Sequence, residues 1–218
     1  MRDCIYHSIQ LIEKEYTEKT GFEDVQNEET ESSKRERLFN GMYDSMTSKN
    51  DGDFIEYQGE FPKEEFLDFL VHEKGFLLRG TNNSTIQELE PRQANCASKK
   101  FGNMCGVYAV EDSVLPIFYS IKDKDLFNGI AESGVGEIPS EEGPQKKYHF
   151  AVSREALESN LWSEGAVYIL PRETFKQGGD DDGGLIDEWA SEVTVKPVAK
   201  LKISPNDFRF LDEIQPLD

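Results

Sequence analysis

Apolar residues recur at helical spacing in the first third of the chain. This periodicity predicts three helices, over residues 4–16, 33–46 and 62–72. The third follows Pro62, a residue typical of a first helical turn. The apolar faces consist of Ile5, Ile9, Leu11 and Ile12 in the first helix, Leu38, Phe39, Met42 and Tyr43 in the second, and Phe66, Phe69 and Leu70 in the third.

Short apolar runs bounded by glycine, proline or polar residues are typical of strands. They predict strands over residues 54–57, 76–80, 147–152, 166–170 and 192–203, and another that emerges from Gly106. Short helices are predicted around Tyr119 and after Ser153. A loop is predicted over residues 122–145, and its length makes it a candidate mobile or functional loop. Turns are predicted at residues 177–184 and, as a turn or short helix, at 204–208. Helices dominate the first third and strands the rest, which predicts the α+β class.

The charge balance limits the classes of partner. The 218 residues contain 43 acidic and 24 basic side chains, a net charge of −19. Such a surface repels phosphate backbones, which disfavours broad binding of nucleic acid. No run is long and apolar enough for a membrane helix, and residues 1–7 lack the apolar core of a signal peptide. We expect a cytoplasmic protein without a membrane span, while delivery by a secretion system that reads other signals stays open.

The cysteines and histidines predict neither a disulfide framework nor a metal site. Cys4, Cys96 and Cys105 form an odd set without a CxxC motif, so reduced thiols are favoured, although Cys96 and Cys105 could pair in an oxidising compartment. The three histidines are scattered without ligand spacing. The acidic run 180–182 lacks the ligand ladder of an EF-hand and is interpreted as a solvated turn. We therefore expect no bound metal.

Two aromatic clusters eleven residues apart form a candidate binding slot. Tyr108 lies on the strand that emerges from glycine, and Tyr119 lies in the predicted short helix that follows. Aromatic side chains on a strand and on the next helix can form two walls that hold a flat ring such as nicotinamide. Ordinary packing in the core is the alternative.

Two further segments carry candidate chemistry. Arg79, Gly80 and Thr81 end a predicted strand, where a guanidinium and a hydroxyl could bind a ribose diol or a phosphate. The alternative is that Arg79 pairs with one of the many carboxylates. Glu188 opens the last predicted strand and could stabilise positive charge that develops on a sugar, with Glu192 on the same strand face as a substitute.

The order of these segments resembles the ADP-ribosyltransferase superfamily, of the poly(ADP-ribose) polymerase-like and diphtheria-toxin-like type. In that family a first strand ends in His-Gly-Ser/Thr. A second motif reads Gly-Ile/Val-Tyr-Phe/Ala before a helix with another tyrosine, and a late strand opens with Glu-Tyr or a similar pair. Here residues 77–81 (LLRGT), 106–109 (GVYA) with Tyr119, and 187–189 (DEW) follow in that order. The resemblance spans roughly residues 75–205 and leaves residues 1–74 outside it.

The resemblance implies a split antiparallel β-sheet core that holds NAD, as substrate, in a cleft. It divides the chain into a helical N-terminal region, 1–74, and an ADP-ribosyltransferase-like domain, 75–218. It further implies that Tyr108 and Tyr119 sandwich nicotinamide and that the backbone of Gly80 binds its carboxamide. Thr81 would contact the nicotinamide-side ribose. Glu188 would be the catalytic residue that holds the ribose 2′-hydroxyl.

The chain departs from the family at one position, because Arg79 stands where this subgroup usually has histidine. Arg79 could contact ribose or phosphate instead, or mark a weakened activity. The predicted function is transfer of ADP-ribose from NAD to a protein or small-molecule acceptor. The alternatives are an NAD glycohydrolase that uses the same site, a pseudoenzyme, a module that only holds ADP-ribose, and an acidic interaction protein.

Overall fold

The computed structural model describes residues 30–93, 101, 104–123, 131–140, 143–159, 161–179 and 185–217. Residues 38–218 form one compact unit and residues 1–37 another, of which 30–37 are described. The predicted helix over residues 4–16, the possible Cys96 pairing and the acidic run 180–182 lie outside the described residues. The predicted domain boundary between residues 74 and 75 stays a prediction.

The predicted helices within the described residues are confirmed, with small changes of extent. They are α1 (Glu31–Lys49), α2 (Lys63–His72), α3 (Val114–Ile121) and α4 (Arg154–Glu158). Pro62 immediately precedes the first residue of α2, where its missing N–H costs no hydrogen bond. None of these helices is long and apolar enough to cross a membrane.

The strands of the described residues form three sheets, and the α+β class is confirmed. The strands are β1 (Leu77–Thr81), β2 (Arg92–Gln93), β3 (Cys105–Ala109), β4 (Ala131–Ile138), β5 (Gln145–Ser153), β6 (Gly165–Leu170), β7 (Lys176–Gly179), β8 (Leu185–Ser191), β9 (Ala199–Ile203) and β10 (Gln215–Leu217). We call β1-β6-β9 the central sheet, β2-β3-β8-β7 the front sheet and β10-β5-β4 the hairpin sheet. Neighbouring strands are antiparallel except β10 and β5.

The central sheet is buried on both faces. One face packs against α2, α3 and the hairpin sheet, through residues such as Leu78, Ile117 and Phe150. The other face packs against the front sheet, through Leu77 and Val107 among others. All six residues of β6 are buried, which explains why this strand reads as an unbroken apolar run.

The predicted long loop over residues 122–145 is wrong in its second half. Residues 131–138 form β4, which pairs with β5 over its whole length, from Ala131 opposite Val152 to Ile138 opposite Gln145. The sequence of β4 contains two glycines and two glutamates and lacks a clear apolar alternation. Pairing with β5 therefore decides the conformation of this segment more than local propensity does.

The predicted strand over residues 192–203 is wrong in its first part and confirmed in its second. β8 ends at Ser191, before this segment begins, and a strand, β9, forms only from Ala199 to Ile203, in a different sheet from β8. Pro197 lies between them, and proline cannot donate to a continuous ladder. Glu188 accordingly lies inside β8, and Glu192 lies beyond its end.

Two smaller predictions need correction. Residues 54–57 form no strand, although Phe54 makes a single parallel bridge to Lys200. The turn predicted at residues 177–184 is wrong at its start, because residues 177–179 belong to β7. The segment after β9 contains a 3-10 helix, Pro205–Asp207, as its turn-like sequence indicates.

Candidate functional site

Gly80 lies at the point where helix α3 crosses strand β1. A Cβ atom at this position would stand 1.8 Å from the carbonyl oxygen of Pro116, so only glycine lets the two backbones come this close. Because side chains alternate along a strand, Gly80 faces α3 while Arg79 and Thr81 face the opposite side. Gly80 thus fixes the helix on one face of β1 and leaves the other face to its two neighbours.

Strands β1 and β3 join at one point and then separate. Leu78 donates its N–H to the carbonyl of Val110 at 2.9 Å and accepts the N–H of Val110 at 3.0 Å. Both backbone groups of Leu78 therefore point away from β6, and those of Gly80, two residues along, point the same way. A continued ladder would join Gly80 to Tyr108, but within the described residues the Leu78–Val110 bridge is isolated. The N–H and C=O of Gly80 consequently face the gap between the two strands.

Arg79 occupies part of this gap. Its Nη1 donates a hydrogen bond of 2.8 Å to the carbonyl oxygen of Tyr108, the acceptor that a continued ladder would give to Gly80. Burial, with added repulsion from Arg92, lowers the pKa of Arg79 below its usual range. The guanidinium stays protonated at physiological pH. A half-buried cation therefore lies beside the free backbone edge of Gly80.

The side chain of Tyr108 is fixed from behind by neighbouring groups. Its hydroxyl lies 2.8 Å from the carbonyl oxygens of both Phe101 and Met104, to which it can donate. The ring of Phe101 packs edge-on against the Tyr108 ring, with centroids 6.1 Å apart. Phe101 rests in turn on Gly178 of β7, where a Cβ atom would approach the ring to 2.6 Å. The Tyr108 ring is thus held in place without a ligand.

Glu188 projects from the same face of the front sheet as Tyr108. Tyr108 pairs with Ala190 across β3 and β8, and Glu188 precedes Ala190 by two residues. Such diagonal neighbours lie about 7 to 8 Å apart. The next residue, Trp189, faces the opposite side and packs against the core between the front and central sheets. Among the described residues, no hydrogen bond or ion pair engages the partly exposed carboxylate of Glu188.

Tyr119 lies on the outward side of α3, and its side chain is 38% exposed. Its hydroxyl shares a hydrogen bond of 2.8 Å with the hydroxyl of Ser133 on β4. The ammonium of Lys122 lies 5.4 Å from the ring centroid. Among the ring contacts of the described residues, none joins Tyr119 to Tyr108. The two tyrosines are therefore not packed against each other as a core pair.

A cavity of about 250 Å³ opens on the side of β1 that faces away from α3. Arg79 and Thr81 line it together with the segment that follows β1. The lining residues are Arg79, Thr81, Asn82, Asn83, Ile86, Glu88, Leu89, Glu90 and Arg92. Two guanidiniums and two carboxylates thus surround a space large enough for part of a small ligand.

The segment that lines this cavity, residues 82–90, is tied to the central sheet. The buried hydroxyl of Tyr168 donates to the carbonyl of Asn83 at 2.8 Å and accepts the N–H of Ile86 at 3.1 Å. Lys200, only 3% exposed, donates to the carbonyl of Ser84 at 3.2 Å. These bonds hold the wall of the cavity in one conformation.

The structure brings together four of the six residues that the sequence singles out. Arg79, Gly80 and Tyr108 meet at the gap between β1 and β3, and Thr81 continues from it into the cavity. Glu188 lies on the neighbouring strand, and Tyr119 lies on the helix that crosses β1.

Arg92, Glu88 and Glu90 are cavity residues that the sequence analysis missed. The local pattern around Pro91 carries no signal for them, because they reach the cavity only through the folding of the segment after β1. Among the described residues, no group of three or more His, Cys, Asp or Glu side chains is arranged to hold a metal ion.

Comparison of the chain with protein-family models, with curated proteins and with solved structures finds no significant match. The resemblance to ADP-ribosyltransferases therefore rests on the sequence motifs alone.

Proposed function

We propose that this protein is a NAD-dependent ADP-ribosyltransferase, which releases nicotinamide and transfers ADP-ribose to a protein or small-molecule acceptor. The observation that carries the proposal is the free backbone edge of Gly80. A carboxamide needs one donor and one acceptor side by side, and the N–H and C=O of Gly80 supply both in the gap between β1 and β3. In this proposal the gap is the nicotinamide site of a split-sheet ADP-ribosyltransferase core.

Two tyrosines supply the walls for the nicotinamide ring. Tyr108, held by Phe101, stands next to Gly80 on the far side of the gap. Tyr119 reaches out from the helix that Gly80 fixes on β1. Offset stacking between aromatic rings stabilises a bound flat ring, so both side chains would contribute to affinity for NAD.

Glu188 is the residue to which we assign catalysis. The bond between ribose C1′ and the nicotinamide nitrogen breaks, and its electron pair leaves with nicotinamide. Positive charge then develops on the sugar, where a carboxylate stabilises it by electrostatics and by accepting a hydrogen bond from the 2′-hydroxyl. Glu188 suits this role because its carboxylate has no competing partner among the described residues. A nucleophilic atom of the acceptor attacks C1′ and loses its proton.

The cavity beside Arg79 suits the parts of NAD that follow nicotinamide, namely a ribose and the diphosphate. Arg79 and Arg92 repel each other, and an anionic group such as a diphosphate would relieve that repulsion. Thr81 lines the same cavity, and its Oγ1 accepts the N–H of Asn83 at 3.2 Å, which leaves the hydroxyl hydrogen for a ribose oxygen. Arg79 in place of histidine is therefore compatible with binding of NAD.

The first prediction concerns Glu188→Gln. We expect nicotinamide release from NAD to fall by about 10²- to 10³-fold, because the amide no longer stabilises the sugar cation. Affinity for NAD should change little, since most binding contacts lie elsewhere. Chromatographic quantification of nicotinamide gives the rate, and calorimetric titration gives the affinity.

Glu192→Gln is the matched control, because Glu192 lies just beyond the end of β8 and is exposed. Glu192→Gln should release nicotinamide from NAD as fast as the wild type. Equal turnover by Glu188→Gln and the wild type would refute the catalytic assignment. Nicotinamide release without labelling of any acceptor would instead identify a NAD glycohydrolase. A folded wild type that binds no NAD at millimolar concentration would favour the acidic interaction protein.

A further inference from the structure

A buried carboxylate joins helix α3 to the hairpin of β4 and β5. Asp112, 1% exposed, accepts the N–H groups of Val114 and Leu115 on Oδ1, at 2.9 and 2.8 Å. Its Oδ2 accepts Lys146 Nζ at 3.0 Å and the hydroxyl of Tyr148 at 2.7 Å. The first two bonds cap the N-terminus of α3, where free N–H groups and the helix dipole favour negative charge. The other two come from β5.

The same hairpin also holds the other end of α3. Tyr119, in the last turn, shares its hydroxyl hydrogen bond with Ser133 of β4. The hairpin thus contacts the helix near both of its ends, with Asp112 at the first and Tyr119 at the second.

The connection between β3 and α3 is anchored on its other side as well. Val110 is tied to β1 through its two bonds with Leu78. The N–H of Glu111 donates to Oδ1 of Asp187 at 2.8 Å, two residues beyond the last pair of β3 and β8, Ala109 with Trp189. The strand that carries Tyr108 is therefore fixed up to residue 111, and Asp112 is the next residue along the chain. The packing of Pro116 on Gly80 fixes the middle of α3 on β1, and the bonds to Asp112 are the contacts that hold its first turn relative to the strand of Tyr108.

We propose that Asp112, held by Tyr148 and Lys146, is a positioning residue that sets where Tyr119 stands relative to Tyr108. This inference rests on the proposed function. Asp112 lies between the two tyrosines in sequence and touches neither. It acts through the helix whose first turn it caps. Loss of the bonds from β5 lets α3 tilt about its contact with Gly80, which weakens binding of the nicotinamide ring and leaves the chemistry at Glu188 intact.

The test uses two mild variants with matched controls. Tyr148→Phe and Lys146→Gln each remove one donor to Oδ2 and leave the cap on α3 in place. Tyr57→Phe is the control for the first, because it removes a partly buried hydroxyl that donates to the carbonyl of Phe61 at 2.7 Å, outside the proposed site. Lys147→Gln is the control for the second, because Lys147 is exposed on the opposite face of β5.

We expect each test variant to raise the KM for NAD by about tenfold, the effect of losing one hydrogen bond to a charged group. The kcat should stay within about twofold of the wild type, since no group that reacts is changed. Free nicotinamide, titrated calorimetrically, should lose affinity to the same extent. Both controls should match the wild type in every readout.

Three outcomes overturn the inference. If the test variants match their controls while the wild type is active, Asp112 does not position the ring. If kcat falls with the melting temperature and KM does not change, the bonds support the fold alone. If the wild type binds no NAD, the proposed function fails with it, and this outcome differs from the other two because the defect is present without any mutation.

Discussion

At position 80, one residue meets two separate structural demands. The face toward α3 has no room for a side chain, because a Cβ atom would stand 1.8 Å from the carbonyl oxygen of Pro116. The edge toward β3 keeps its N–H and C=O free, because the strands separate after the Leu78–Val110 bridge. The sequence places Gly80 at the end of a predicted strand. Only the tertiary structure shows that helix α3 requires a glycine at this position.

The substitution Gly80→Ala tests this close approach. We expect the free energy of unfolding to fall by about 1 to 3 kcal/mol, since the added methyl group must push the backbone of α3 away. Urea denaturation monitored by circular dichroism measures the change. Gly134→Ala is the control, because a Cβ atom at that position in β4 has no neighbour within 4 Å. Equal effects of the two substitutions would contradict the steric role of position 80.

Arg79 acquires a defined role that its sequence position alone leaves open. Its guanidinium bonds to the carbonyl of Tyr108, so it bridges the two strands where their ladder stops. The sequence left open that Arg79 pairs with a carboxylate, but its hydrogen bond in the described residues goes to a backbone carbonyl. Arginine stands where the resemblance to ADP-ribosyltransferases implies histidine, and it places a permanently charged group in part of the gap.

At the scale of elements, the strands with strong apolar patterns were predictable and the others were not. β6 is an unbroken apolar run, because both of its faces are buried. β4 has exposed residues along most of its length and forms because β5 pairs with it. The break between β8 and β9 likewise depends on sheets that lie apart in sequence. Non-local pairing determines such elements, and local composition carries little information about it.

The segment of residues 82–90 is held by the Tyr168 hydroxyl, by Lys200 and by the pairing of Leu89 with Val195. Tyr168 is fully buried, and its hydroxyl makes two bonds to this segment, at Asn83 and Ile86. We expect Tyr168→Phe to lower the free energy of unfolding by about 1 to 2 kcal/mol, since two partly buried backbone groups lose a partner. Hydrogen exchange at the amide of Ile86 should quicken, as followed by mass spectrometry or NMR.

Tyr57→Phe provides the comparison for this prediction, because its hydroxyl bonds to Phe61, far along the chain from the cavity. It should leave exchange at Ile86 unchanged. If Lys200 and the end of β1 alone held the cavity wall, the amide of Ile86 would exchange equally slowly in Tyr168→Phe and Tyr57→Phe. That result would exclude Tyr168 as the anchor.

At the scale of the whole molecule, the net charge of −19 acts on stability as well as on partners. Carboxylates that lie within a Debye length of each other repel in the compact state more than in the unfolded chain. Exposed ion pairs such as Lys202 with Glu164, at 2.7 Å, offset little of this repulsion.

Salt should therefore stabilise this protein. Raising NaCl from about 10 to 200 mM at pH 7 should increase the free energy of unfolding by about 1 kcal/mol and the melting temperature by about 2 to 4 °C. Differential scanning calorimetry measures both. The effect should shrink near pH 5, because protonation of carboxylates reduces the net charge. A melting temperature that falls with added salt would show that attractive ion pairs outweigh the repulsion.

The sequence by itself determined the α+β class, the amphipathic helices, the buried strands and the order of the three motif segments. These features depend on periodicity and on residue type, which are local properties of the chain. Only the tertiary structure decided that β1 and β3 separate at Gly80, that Arg79 fills part of that gap, and that Asp112 joins α3 to the hairpin. Each of these results from contacts between residues distant in sequence, whose geometry is fixed only when the sheets pack against one another.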